Sequence, residues 1–193
     1  KQRLKYSPSG NQVISSGHKG ILFWNTQNRQ LERIVNPLKR IGAVNAQFSP
    51  NGQWIAASFF SSIRVLDAKP PHQEKFPIES KREMYGVTFS HDSRYLIVGG
   101  EEQILHVYDC HTGEEIGTLG NQDDWILNIT ASPNGKYLAS TGYYNGIRIW
   151  DATRLDEKQE GRPIYRGSFG FIGCEFSPDG NWLAVGGLEG EIR

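Results

Sequence analysis

The chain has few cysteines, a single methionine and no long apolar run among its 193 residues. No apolar segment approaches the roughly 20 residues needed to cross a bilayer, and Lys1 to Lys5 lack the apolar core of a signal peptide. We therefore expect a soluble chain without a membrane partner. The only methionine is Met84, so the sequence is expected to be a processed product or an excerpt of a longer protein.

The chain also lacks an excess of charge of one sign and a pair of cysteines placed to form a disulfide. The 21 Lys and Arg residues balance 21 Asp and Glu residues, which argues against strong non-specific binding of nucleic acid. Cys110 and Cys174 occupy different kinds of position in separate parts of the chain, where small or apolar residues are expected. They predict no disulfide, and we expect a reducing, cytoplasmic compartment.

The sequence does contain an internal repeat. A turn signal with the pattern of Ser132-Pro133-Asn134-Gly135 begins at five serines: Ser7, Ser49, Ser90, Ser132 and Ser177. The steps between them are 42, 41, 42 and 45 residues. A second marker, two apolar residues followed by Asn or Asp, ends at Asn25, Asp67, Asp109 and Asp151, each 42 residues apart. Two markers in phase predict a repeat architecture.

Each repeat contains the pattern of four short strands. Before the turn, apolar residues alternate, as in Val44, Ala46 and Phe48, which indicates a strand. A second strand is predicted after the turn at 54–58, 95–98, 137–140 and 182–185. The third strand has adjacent apolar residues such as Ile149 and Trp150, so both faces of the sheet must be covered. A weaker fourth strand follows.

Four antiparallel strands per repeat are typical of a β-propeller blade. The chain resembles the WD-repeat propellers, whose Trp-Asp dipeptide ends the third strand and is present here as Trp150-Asp151. Trp24-Asn25, Leu66-Asp67 and Tyr108-Asp109 hold the equivalent positions. The resemblance implies an all-β fold of four complete four-stranded antiparallel blades and a partial fifth. We expect repeats at approximately 1–35, 36–78, 79–120, 121–166 and 167–193.

The repeats also depart from the family pattern. WD repeats typically carry a Gly-His pair before the first strand and an Asp in the turn between the second and third strands, which form a buried hydrogen-bonded network. In the fourth repeat these positions hold Asn121-Gln122 and Tyr144. We therefore expect the blades to rely on packing rather than on that network.

The number of repeats bears on the whole ring. Propellers close with 4 to 8 blades, and the resemblance makes seven the commonest expectation. We expect the chain to be part of a larger ring, with self-association through the exposed edges of an incomplete one. Closure as four blades with a strand-swapped remainder is the alternative.

Motifs of catalysis and metal binding are scarce. The sequence has no Gly-x-Ser-x-Gly elbow, no phosphate-binding Gly-rich loop and no His-Glu-x-x-His. The five histidines have no metal-ligand spacing, and all but His18 are expected to be ordinary surface residues. We predict no catalytic residue, no metal and no cofactor in this segment, although a flanking domain could be catalytic.

Aromatic residues in loops are the candidate binding site. Phe59-Phe60 and Tyr143-Tyr144 are expected in equivalent loops between second and third strands, and Trp125 in a loop between blades. Exposed aromatic side chains in loops are typical of interface anchors. Packing between blades, in place of the missing Asp network, is the alternative. His18 joins the candidates because it lies in the corresponding turn of the first repeat.

The favoured function is a non-catalytic scaffold that presents loops of one face to a protein or peptide partner. A propeller enzyme of lactonase, glycosidase or quinoprotein type is a second hypothesis, which would need acidic or His side chains around a central channel. An RNA-associated WD-repeat subunit is a third. The repeated basic pairs Lys39-Arg40 and Lys81-Arg82 are the residues that RNA would contact.

Overall fold

The structure is a computed structural model, and it describes residues 3–36, 43–144, 146–165 and 170–192. Within these residues the chain forms eighteen β-strands and no helix. Lys39-Arg40 therefore lies outside the described residues. The chain divides into two compact units, which we call unit 1 (residues 1–87) and unit 2 (residues 88–193).

The strands group into five consecutive sheets. The first contains β1 (Arg3–Tyr6), β2 (Gln12–Gly17), β3 (Gly20–Asn25) and β4 (Leu31–Val35). The second contains β5 (Asn45–Phe48), β6 (Trp54–Phe59), β7 (Ser62–Asp67) and β8 (Glu74–Glu79). The third contains β9 (Met84–Phe89), β10 (Tyr95–Gly100), β11 (Ile104–Asp109) and β12 (Glu115–Asn121). The fourth contains β13 (Ile126–Ala131), β14 (Tyr137–Gly142), β15 (Ile147–Asp151) and β16 (Arg162–Tyr165), and the fifth contains β17 (Phe171–Phe176) and β18 (Leu183–Gly187).

Strands that are neighbours in the sequence are neighbours in each sheet. The first four sheets have four strands each in chain order, and the fifth has two. Pairing within the fourth sheet is antiparallel, with Trp150 of β15 opposite Leu138 of β14. Beyond β18, Ile192 makes one isolated antiparallel bridge to Gly186, where the sequence predicted part of a third strand. The predicted all-β fold of four-stranded antiparallel blades is confirmed.

The recurring Ser turn closes the first hairpin of every sheet. In the fourth sheet the Ser132 Oγ accepts a hydrogen bond from the Tyr137 N–H at 2.9 Å and donates one to the Asn134 side chain at 2.7 Å. Gly135 has φ +73°, a left-handed conformation that glycine adopts without a steric penalty. In the third sheet Ser93 takes this position with φ 62°. The turn is therefore held by its serine side chain as well as by its backbone.

Apolar residues on both sheet faces form the cores of the two units. In unit 1, Phe23 of the first sheet and Phe59 and Leu66 of the second belong to one buried cluster. In unit 2, Leu105 of the third sheet and Trp150 of the fourth belong to another. Phe171 and Val185 of the fifth sheet pack with Ala139 of the fourth. Each cluster joins consecutive sheets, which explains why the third strands carry adjacent apolar residues.

Candidate functional site

Three of the predicted aromatic residues lie together in unit 2. Trp125 follows β12 and precedes β13, and Tyr143 and Tyr144 follow β14. The rings of Trp125 and Tyr143 are 6.4 Å apart between centroids, and those of Tyr143 and Tyr144 meet edge to face at 4.5 Å. Their exposed fractions are 45%, 36% and 65%, respectively. The structure thus brings the three rings together at the surface.

Asp124 holds the two loops in place. It is buried, and its carboxyl oxygens accept hydrogen bonds from the backbone N–H groups of Trp125, at 2.8 Å, and of Tyr144. The Tyr143 N–H also donates to the Trp125 carbonyl oxygen at 3.3 Å. A buried polar group with backbone partners on two loops fixes their relative position. The rings are therefore presented on a fixed backbone.

Leu188 extends the same surface. A Cβ atom on Gly170 would collide with the Tyr143 carbonyl oxygen and lie 3.0 Å from the Leu188 side chain, so the three residues are in close proximity. Leu188 donates a backbone hydrogen bond to Gly170 at 2.9 Å, and its side chain is half-exposed. We call Trp125, Tyr143, Tyr144 and Leu188 the aromatic patch.

The other candidates lie in unit 1. Phe60 forms the turn between β6 and β7 with φ 53°, and 47% of it is exposed. Its carbonyl oxygen accepts a hydrogen bond from the Met84 N–H at 2.6 Å, and Ser61 accepts one from Ser80 at 2.9 Å. His18 is exposed in the β2–β3 turn of the first sheet. Phe60 thus lies beside the segment that contains Lys81 and Arg82.

The expected loop position of Phe59 is wrong. Phe59 is the last residue of β6, is 1% exposed and packs in the core of unit 1. Adjacent residues of a strand point to opposite sides, and the left-handed turn begins only at Phe60, so the two phenylalanines separate. Phe59 therefore supports the fold, and Phe60 alone of the pair is available at the surface.

In the fourth sheet, a buried hydrogen-bonded chain of other residues adds to the packing that is expected in place of the family's network. The Trp150 Nε1–H donates to the Ser140 Oγ at 2.9 Å, and that hydroxyl donates to the Gln122 Oε1 at 2.6 Å. All three side chains are buried. Gln122 occupies the position of the family's His, so a different residue type maintains a buried polar connection to the tryptophan.

The two cysteines and His72 lie in buried positions, where they support the fold. Burial raises the pKa of the Cys110 thiol to about 12, so the unreactive thiol form dominates at neutral pH. Cys174 is buried as well, and both cysteines are free. His72 is 5% exposed and stacks on Phe23, which corrects its expected surface position. Among the described residues no group of three His, Cys, Asp or Glu side chains could hold a metal ion.

Charge is distributed unequally between the two units, although the formal net charge of the whole chain is zero. Unit 1 carries 13 Lys and Arg and 5 Asp and Glu residues, a formal charge of +8. Unit 2 carries 8 basic and 16 acidic residues, a formal charge of −8. Counting charges by repeat, rather than over the whole chain, would have found this asymmetry from the sequence.

A groove of about 310 Å³ lies elsewhere in unit 2. It is lined by the β9–β10 turn, including His91 and Asp92, and by Thr153 and Asp156 of the β15–β16 connection. Arg94, which also lines it, stacks over the Tyr95 ring at 4.9 Å. The groove has mixed charge and includes none of the predicted site residues.

Consecutive four-stranded antiparallel sheets are the blade architecture of β-propeller repeat proteins. The family described as "WD domain, G-beta repeat" matches residues 113–151 and 162–193. These two matches confirm the resemblance to the WD-repeat family. WD-repeat proteins typically act as protein-interaction scaffolds. In the described part of the chain, no helix has the length and apolar character to span a membrane.

The chain is also similar to several curated proteins. It is 23% identical to the chicken (Gallus gallus) "Serine-threonine kinase receptor-associated protein" over 79% of this chain and 43% of that protein. It is 27% identical to "Protein HIR1" of Gibberella zeae over 93% of this chain and 21% of that protein. The "Protein LST8 homolog" of Drosophila melanogaster is 21% identical over 98% of this chain and 63% of its own length. The chain thus spans less than half the length of the first two of these proteins.

Proposed function

We propose that the chain is a non-catalytic scaffold that binds a protein or peptide partner through the aromatic patch of unit 2. Phe60 and His18 of unit 1 are additional contact residues in this proposal. We also propose that the five sheets are consecutive blades of one propeller segment spanning residues 1–193. An intracellular, cytoplasmic location agrees with the two buried free thiols.

The observation that carries the proposal is the exposure of three aromatic rings on loops fixed by Asp124. Exposed aromatic side chains bury a large area on binding and lose little rotamer entropy. The Asp124 hydrogen bonds to both loops reduce the cost of ordering them in a complex. Together these features favour recognition of a partner.

The first prediction concerns partner recovery. Trp125→Ser and Tyr144→Ser, introduced separately into the full-length protein, should reduce recovery of bound proteins in affinity purification with quantitative mass spectrometry. Trp182→Ser is the matched control, because Trp182 is 76% exposed in unit 2 immediately before β18, outside the patch. Melting temperatures should barely move, since surface substitutions usually change stability by less than about 0.5 kcal/mol.

Two results would contradict the proposal. If the patch variants and the Trp182 control recover the same proteins in the same amounts, the patch is not the binding surface. If Tyr144→Ser lowers the melting temperature as strongly as a core substitution such as Phe59→Ser, the ring is a packing residue.

RNA binding is the second candidate, and the formal charge of +8 on unit 1 favours it. Lys81 and Arg82 are exposed in the segment beside Phe60, which gives a basic and aromatic surface of the kind that binds RNA. Replacing both basic residues by Glu should then abolish RNA retention in a filter-binding assay. Unchanged retention would eliminate this candidate.

A further inference from the structure

The loops around the aromatic patch carry acidic residues. In the described segments 101–103, 122–125, 143–144 and 188–191, acidic residues occupy six positions and Lys or Arg none: Glu101, Glu102, Asp123, Asp124, Glu189 and Glu191. Glu189 is exposed, and 56% of the Asp123 side chain is accessible. Unit 2 as a whole has a formal charge of −8. Asp123 is paired with Arg148 and Glu102 lies 2.9 Å from His106, so the attraction for cations rests on the exposed Glu189 and on the formal charge of unit 2.

The ring planes of the aromatic patch are set at steep angles to one another. Tyr143 and Tyr144 meet at an interplanar angle of 78°, and the Trp125 ring is tilted by 51° to that of Tyr143. Ring faces set at such angles form a corner, and the negative face of each ring attracts an ammonium or guanidinium group. Tyr144, the most exposed of the three, contributes the most accessible ring.

Arg148, a cation close to these loops among the described residues, is already engaged. Arg148 is buried below these loops, where it donates to the Gly161 carbonyl oxygen at 2.7 Å and to the Asp123 Oδ2 at 2.7 Å. The cation–ring contacts in the described part of the chain are made at other places, by Lys75 over Trp54 and by Arg94 over Tyr95. Within the described residues, neither Arg148 nor these two contacts involves the rings of the aromatic patch.

We propose that the aromatic patch binds a basic segment of a partner protein, with an Arg or Lys side chain over the Tyr143–Tyr144 corner. Glu189, which is exposed, attracts further basic residues of that segment. This inference rests on the proposed scaffold function and adds the chemical class of the partner. Aromatic rings supply the short-range contact, and the carboxylates supply charge complementarity.

The test uses a fluorescein-labelled peptide with repeated Gly-Arg-Ser triplets and a matched peptide with Gln in place of Arg. Fluorescence anisotropy with the full-length protein should show binding of the Arg peptide and little binding of the Gln peptide. Tyr144→Ser should weaken binding of the Arg peptide by about tenfold, whereas Tyr144→Phe should retain this binding because the ring face remains. Glu189→Gln should weaken it less, by about threefold.

Matched variants separate local recognition from general attraction. Trp182→Ser and Glu114→Gln change an exposed aromatic and an exposed acidic residue of unit 2 outside the patch, and both should leave binding unchanged. Equal binding of the Arg and Gln peptides would overturn the inference. Loss of binding with Glu114→Gln equal to that with Glu189→Gln, and none with Tyr144→Ser, would also overturn it, because attraction by net charge alone would then explain the result.

The two proposals can fail separately. If Trp125→Ser and Tyr144→Ser lose cellular partners while the Arg peptide binds no better than the Gln peptide, the scaffold function stands and the basic partner class is wrong. If binding of the Arg peptide requires Tyr144 while Trp125→Ser and Tyr144→Ser leave partner recovery unchanged, the patch binds basic peptides. The scaffold assignment then fails.

Discussion

His72 contacts Phe23 ring to ring, with the centroids 4.1 Å apart, and its Nδ1 lies 3.0 Å from the Asp67 carbonyl oxygen. Burial lowers the pKa of His72, because the protonated imidazole loses water, and the hydrogen bond to Asp67 only partly opposes this effect. The folded chain therefore favours neutral His72. Between the lowered pKa and the ordinary value near 6.5, the unfolded chain binds more protons than the folded one.

This proton difference predicts a loss of stability in acid. The free energy of unfolding should fall as the pH drops below about 6.5, and the contribution of His72 should be absent above about pH 7.5. His72→Gln removes the titration, so its stability should depend less on pH in this window. Urea denaturation of both proteins across the range measures the effect, and parallel pH profiles would contradict it.

The exposure of several single residues could not be predicted from the sequence. Phe59 and Phe60 are the same residue type in adjacent positions, and only the left-handed turn at Phe60 decides which one is exposed. His72 lies in a connection, where exposure is the usual expectation, yet a neighbouring sheet supplies Phe23 to cover it. Both outcomes depend on tertiary contacts that one sequence does not display.

At the level of the strand, the pairing of third and fourth strands has a recurrent irregularity. The register shifts between Phe23 and Trp24, between Val65 and Leu66, and between Val107 and Tyr108, within the paired apolar residues of the repeat marker. In the fourth sheet the shift lies between Ile147 and Arg148. Such bulges change the direction of the outer strand. They could not be predicted from apolar alternation, because the extra residue leaves that pattern intact in the third strand.

The outer part of the fourth sheet gives a prediction about packing. A Cβ atom on Gly161 would lie 2.6 Å from the Trp150 Cε2, inside the buried indole, whereas one on Gly117 of β12 meets nothing within 4 Å. Gly161→Ala should therefore lower the free energy of unfolding by about 1–3 kcal/mol, the usual cost of overpacking. Gly117→Ala should leave it nearly unchanged or raise it slightly.

Chemical denaturation of the two variants beside the parent chain is the measurement. Equal stabilities for Gly161→Ala and Gly117→Ala would show that the Trp150 indole can move aside. The sequence gives no sign of this difference, since both glycines lie in polar, outer segments of their repeats. By contrast, the strand starts at Trp54, Tyr95 and Tyr137 follow directly from the serine turn, because that turn involves residues at most five positions apart.

For the whole molecule, a formal charge of zero combines +8 in residues 1–87 with −8 in residues 88–193. Charges of one sign that cluster within a unit act on solvent and on charged surfaces at distances up to the screening length, which is about 10 Å at 0.1 M salt. The net charge of the whole chain therefore does not describe how each unit interacts with charged surfaces.

Ion-exchange chromatography tests this separation of charge. Near neutral pH and at low salt, the 193-residue chain should be retained by both cation- and anion-exchange resins, and moderate salt should release it from both. Replacing Lys81 and Arg82 by Glu should shorten retention on the cation exchanger and lengthen it on the anion exchanger. Passage of the unmodified chain through both columns without retention would show that the charges of each unit are neutralised locally.

The serine turns have a consequence for the order in which the chain folds. In all five, the backbone N–H five residues after the serine donates to its Oγ, from Gln12 at 3.1 Å to Trp182 at 3.0 Å. Closing so short a segment costs little chain entropy, and local contacts of this kind form early in folding. We therefore expect five similar starting points, from which hairpins grow before distant strands meet. Damage to one turn would slow one hairpin and leave the other four to form at their own rates.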